Sequence, residues 1–179
     1  MTILVGALVS CGKSADLAPS PSAATAAPVV ISRAQAAQVV AMLNGSIQHF
    51  RGLFAAGEQA LGSVRYPDAQ AGLAAMDDPN SAASRFSEWR QRSGVDRDAT
   101  YEGVVSRAAS LYAGGETDPA LDTWAADMSR VMTNLHDWVE TAVGWQIHER
   151  TDKDLEDAVL GFNGAISVAQ VDAQQVGKK

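Results

Sequence analysis

Few side chains of this chain are spaced to do chemistry. Its histidines are His49, His136 and His148. His136 and Glu140 stand one helical turn apart and could pair as an acid–base couple, although pairs at that spacing commonly just bridge a helix surface. No histidine follows a glutamate at the Glu-x-x-His spacing of di-iron bundles. There is no His-Glu-x-x-His, and one cysteine leaves no second thiolate for zinc. Asp152-x-Asp154-x-Glu156 opens like a calcium loop, but that loop needs Gly where Asp157 stands and Glu where Asn163 stands. These acids suit the first turn of a helix instead. A haem-attachment Cys-x-x-Cys-His, a Gly-x-Ser-x-Gly elbow and a phosphate-cradling glycine loop are all missing. No catalytic residue, metal ligand or cofactor is therefore assigned.

The aromatic residues speak to binding. Trp124, Trp138 and Trp145 recur at helical spacing on one face, with Trp89 elsewhere. Tryptophan brings a large apolar area and an N–H that seeks a partner. Such a stripe either packs as core or lines a groove for an apolar ligand or partner helix. Trp138, Trp145 and Phe162 are the candidate contacts, with Trp145, near its helix end, the one expected to be most exposed. A cavity lined by these three would indicate a carrier, and a closed core an interaction module.

The remaining reactive side chain is Cys11, the only cysteine, so no intramolecular disulfide can form. It follows an apolar run from Ile3 to Val9 and closes the sequence Leu8-Val9-Ser10-Cys11. This stretch resembles the lipobox of bacterial lipoproteins. The resemblance covers about the first tenth of the chain. It implies that residues 1–10 are a signal peptide removed by signal peptidase II, that Cys11 becomes a diacylated N-terminus, and that the protein is anchored to a membrane of the cell envelope, facing outside the cytoplasm. The apolar run is too short to span a bilayer, which takes roughly 20 residues, and fits a signal-peptide core. No Lys or Arg precedes Ile3, whereas signal peptides open on a positive region. The pattern thus leaves room for basic residues upstream of Met1.

The elements that follow are a tether and a domain. Residues 11–31 comprise the cysteine and an Ala/Ser/Pro-rich linker with Pro19, Pro21 and Pro28. Its composition cannot bury enough surface to order itself. At about 3.1 Å per residue it would reach on the order of 50 Å. Residues 32–179 are long enough for one core and carry apolar residues at helical rather than alternating spacing.

Ser32 and Gln35 form a capping-box pattern, followed by the seam Ala36, Val40, Leu43, Ile47, Phe50, Phe54, Gly57, Leu61, with a break at Tyr66-Pro67. Short helices are expected over Ala69–Met76, from Asp78-Pro79 to Gly94, and from Asp98 through Tyr101, Val105, Ala108 and Tyr112 to Gly114-Gly115. Asp118-Pro119 opens a long helix with the seam Trp124, Met128, Val131, Leu135, Trp138, Ala142, Trp145. A last helix starts at Thr151, with Leu155, Val159, Phe162, Ile166, Ala169, Ala173 and Val176 inward. Two Asn-Gly steps, Asn44-Gly45 and Asn163-Gly164, could mark close helix approaches. The expected fold is all-α, an antiparallel bundle of about four main helices with short extra helices in the middle, preceded by a disordered tether.

A formal net charge of −7 argues against nucleic acid as a partner and against a polybasic membrane patch. Arg85, Arg90, Arg92, Arg97 and Arg107 are interleaved with acids and read as mixed surface. The expected function is a lipid-anchored envelope protein whose helical, non-enzymatic domain binds an unidentified partner, an envelope protein or another envelope component. A small apolar ligand carrier is the second reading. An enzyme with an unrecognised site, gathering His136, Glu140 and another polar group, is the third.

Overall fold

The computed structural model describes residues 31–112 and 118–178. The expected signal peptide, Cys11, the expected linker before Ile31 and the expected Gly114-Gly115 stop lie outside the described residues. The described chain forms six α-helices and a single 3-10 turn: α1 (Arg33–Leu61), α2 (Ala69–Ala75), α3 (Ala82–Ser93), the 3-10 turn (Val95–Arg97), α4 (Thr100–Ala109), α5 (Pro119–Gln146) and α6 (Asp152–Ala173). The fold is all-α.

Local chemistry sets the helix ends. The Ser32–Gln35 capping box forms, with Gln35 N donating to Ser32 Oγ at 3.2 Å and Ser32 N donating to Gln35 Oε1 at 2.9 Å. Thr151 and Asp154 form a second capping box at α6, and those hydrogen bonds, the Thr151 N–H first, hold the Asp154 carboxyl below its ordinary pKa. Asp118 accepts from Ala120 N, with Pro119 at the first helical position. Several boundaries differ from the sequence expectation, among them those of α4, whose N-cap is Ala99 rather than Asp98 and which ends at Ala109, before Tyr112. Helix α1 ends at Leu61, before Tyr66-Pro67, because Gly62 turns the chain at φ +61° and ψ −155°, a combination essentially confined to glycine. Helix α3 starts after Ser81 rather than at Asp78, whose carboxylate closes a turn onto Asn80 N. Val176 is buried but lies past the end of α6.

Four antiparallel columns result. Asp118 meets Gly177 (2.9 Å from Gly177 N) and Trp145 meets Asp152 (2.7 Å), so α6 runs back along α5. Helix α1 lies against α6 with Phe54 on Phe162 and Arg51 on Gln170. The fourth column is composite. Gly57 of α1 faces Trp89 of α3, His49 bonds Asp98 before α4, and Gln35 reaches Leu111 beyond it. So α3, the 3-10 turn and α4 together form one broken helix descending beside α1. Gly94 makes the break, at φ +67°.

The core lies along the α5 seam, all of whose expected positions are buried, with Leu121 and Val139 added. On α1 the buried residue is Val39, while Ala36 and Val40 are half-buried. On α4 it is Val104 rather than Val105, and on α6 Leu155 and Val159 are half-buried. These one-residue shifts reflect helices at 3.6 residues per turn drifting off a strict heptad. Gly45 and Gly164 are not close approaches, since a Cβ there would meet nothing within 4 Å. Gly57 is one: its Cβ would lie 2.6 Å from Trp89 and 2.7 Å from Trp138. Among the described residues no helix is long and apolar enough to cross a membrane.

Candidate functional site

The tryptophan stripe packs inward. Trp138 and Phe162 are both fully buried. Phe54 joins them, its ring centroid 4.7 Å from Trp138 and 4.4 Å from Phe162. Trp138 also meets Phe86 and Trp89 edge-on, each at 5.8 Å. Trp145, expected to be exposed, is buried at 8% exposure, but it lies apart from this cluster, at the end of α5. Its Nε1 donates to Asp152 at 2.7 Å, and the Arg65 guanidinium sits 5.2 Å from its ring centroid. Trp145 edges a shallow depression with Leu155, Val159 and Leu160. The structure therefore brings Trp138 and Phe162 together in one aromatic cluster and places Trp145 outside it.

The polar candidates separate too. His136 Nε2 is 2.8 Å from the Val95 carbonyl oxygen, and Glu140 takes Arg90, so the His136–Glu140 couple does not form. His49 bonds Asp98 at 2.6 Å. His148 is exposed at the α5–α6 turn with φ +62°. Among the described residues no group of three or more His, Cys, Asp or Glu side chains could hold a metal ion.

An apolar groove does form, between α2, α3 and the end of α5. Tyr66 builds one wall. Its N–H donates to the Gln146 carbonyl at 2.5 Å, and its hydroxyl accepts from Ala83 N at 3.1 Å. Helix α2 can seat there because residue 72 is glycine, whose Cβ would lie 2.6 Å from Ile147 Cγ2. Asp68 caps α2, and Ser81 Oγ donates to the Ala75 carbonyl, tying α2 to the start of α3. The enclosed space is about 300 Å³, with Phe86, Ala83, Val143 and Ile147 inside and Leu73 and Met76 on the rim. Leu73 is 65% and Met76 43% exposed.

Of the polar side chains around the groove, Arg90, Gln146 and Tyr66 are already engaged, and Ser87 also lines it. Arg90 donates to Asp96 at 2.7 Å and to Glu140 at 2.5 Å. Gln146 Nε2 reaches the Leu61 carbonyl, and Tyr66 is held at both ends. The groove therefore offers apolar area, with little polar chemistry left to turn on a ligand. Sequence reasoning missed it. Its only linear trace is the pair Leu73 and Met76 in a helix too short to bury both.

One further polar feature sits in the core between α5 and α6. Asp127 is 3% exposed, and its Oδ1 accepts from Arg130 at 2.7 Å while Oδ2 has no donor among the described residues. Burial, and next the Asp172 carboxyl beside it, push the Asp127 carboxyl up, against the pull of Arg130. Comparison with family models, with curated proteins and with solved structures gave no match.

Proposed function

We propose that this chain is a lipid-anchored cell-envelope protein, tethered through Cys11, whose helical domain is an interaction module rather than a catalyst. The anchor rests on the Leu8-Val9-Ser10-Cys11 pattern and the linker after it. The observation that carries the domain's role is the groove beside α2, with its mostly apolar lining and with Tyr66 and Arg90 already bonded within the fold. Its occupant is one or two apolar side chains of a protein partner. Leu73 and Met76 on its rim are exposed, and the flexible methionine suits protein contacts.

The carrier reading keeps one supporting fact: the groove's volume of about 300 Å³ stands at the lower end of small-molecule sites. Native mass spectrometry of the full chain, released from its own envelope in mild detergent, separates the two. A mass equal to the acylated polypeptide alone supports the module, and a stoichiometric bound small molecule supports the carrier. The same spectrum tests the anchor. An unacylated wild type, together with a Cys11→Ala variant that still partitions with membranes, would rule the lipid out.

A further inference from the structure

We infer that the face formed by the first half of α1 and the last half of α6 lies on a membrane surface with anionic headgroups, the one that holds the tether. This rests on the lipid-anchor reading of Cys11. The described chain starts at Ile31, whose Cδ1 lies 3.5 Å from where a Gly177 Cβ would stand. Gly177 N is held by Asp118. The tether therefore joins the bundle at a fixed edge, where a shallow cleft opens between Ala37, Val40 and Ala41 of α1 and Gln174 and Val176 after α6. Only residues 12–30 separate this edge from Cys11. A membrane that holds Cys11 is thus at high effective concentration around it.

Charge selects what covers the face. The chain has a formal net charge of −7, yet α1 carries no acid from Arg33 to Gly57 and α6 none from Ala158 to Val171. The charges left there are Arg33, which is exposed, and Arg51, which donates to Gln170 Oε1 at 2.9 Å across the α1–α6 seam. Neither arginine has an acidic partner among the described residues. His49, also on α1, turns to Asp98 on the other flank. Asp172 lies beside Asp127, toward α5, and Lys178 follows Gly177, which Asp118 holds, so neither is counted. Glu58 and the acids that open α6 lie at the far end of the two helices.

Such a face suits phosphate-bearing headgroups, while the acids elsewhere on the bundle are repelled by them and set its orientation. Val171, next to Gln170 and 60% exposed, adds apolar contact. Two arginines make no polybasic patch and would not hold a free protein on lipid; the tether supplies the rest. A second copy docked here would bring its own arginines against these two. The groove beside α2 shares no residue with this face, so it stays open to a partner while the face is covered.

The full chain, coupled through the Cys11 thiol to a maleimide lipid in vesicles, tests this by phenylglyoxal modification of its arginines, located by mass spectrometry. On mixed phosphatidylcholine–phosphatidylglycerol vesicles Arg33 and Arg51 should react at least about fivefold more slowly than on pure phosphatidylcholine, the weight of one basic residue at such a surface. High salt should remove the difference. Arg92 of α3, whose side chain is 78% exposed, should react alike on both. Ala41→Glu, at an exposed position of the face, should restore the faster rate with the helical circular dichroism unchanged. Equal rates on the two vesicles, the same slowing at Arg92, or slowing that survives Ala41→Glu would each overturn the inference. So would slowing that rises with the density of protein on the vesicle, which would assign the face to a second copy. The maleimide replaces the cell's lipid, so these outcomes judge the face, and the acyl mass on native Cys11 judges the anchor.

Discussion

Asp127 is the residue whose environment most departs from its chemistry. A buried carboxylate with one oxygen lacking a donor costs stability while it is ionised. Its raised folded pKa means the folded protein binds a proton before the unfolded chain does. Stability from this site therefore falls as pH rises through the folded pKa and stays low above it. Asp127→Asn presents an N–H to Asp172 instead of a charge. We expect it to stabilise the protein at neutral pH by roughly 1 kcal/mol, a rise in Tm of about 3 °C. The gain should shrink as pH drops towards the ordinary carboxylate value. Thermal unfolding of both proteins from pH 4 to 8 checks this, and a destabilised variant at pH 7 refutes it. Gly57 shows the opposite economy, a residue defined by what it lacks. Gly57→Ala should cost about 1–3 kcal/mol in denaturant unfolding, because its methyl would enter the Trp89–Trp138 contact.

Among the elements, the composite column of α3 and α4 depends most on single contacts. Asp98 holds it to α1. Its carboxylate accepts from His49 Nε2 at 2.6 Å, from Thr100 N at 2.9 Å and from Thr100 Oγ1 at 2.7 Å. Burial pushes the Asp98 carboxyl up, but the hydrogen bonds from His49 and Thr100 outweigh it and leave the pKa below its ordinary value. Its contribution is thus full above the unfolded carboxylate pKa and is lost as pH falls through the lower folded one. Asp98→Ala should cost about 1–2 kcal/mol at pH 7. Amide exchange should speed up over Thr100–Ala109 before it changes over α5 and α6. Uniform acceleration would show that α4 is not a separately opening unit.

At the scale of the whole molecule, the closed aromatic centre and the open groove make opposite predictions. Trp138→Ala removes the hub of Phe54, Phe86 and Trp89 and should cost about 3–5 kcal/mol. Leu73→Asp changes a side chain that is 65% exposed. It should leave Tm within about 1 °C, since exposed sites move stability by less than about 0.5 kcal/mol. On the proposed function, cross-linking of the chain in the cells that make it should capture a partner with wild type and lose it with Leu73→Asp. A partner retained by that variant would place the binding surface elsewhere.

Periodicity determined the helical class and the α5 seam, and residue type the caps at Ser32, Asp118 and Thr151, because these depend on residues within one or two turns of each other. The α1 stop at Gly62 was legible only as a glycine. Whether a glycine ends a helix or lies within it depends on what the next segment packs against. Only the tertiary structure decided that Trp138 and Phe162 join one aromatic cluster while Trp145, also buried, lies outside it, since Phe54 and Asp152, which settle this, come from other elements. It also separated His136 from Glu140 by offering each a better partner across the bundle, the Val95 carbonyl and Arg90. The groove was illegible for the same reason. It arises where Tyr66, Gly72, Phe86 and Ile147 converge from separate segments, and no spacing along one helix encodes a space between helices.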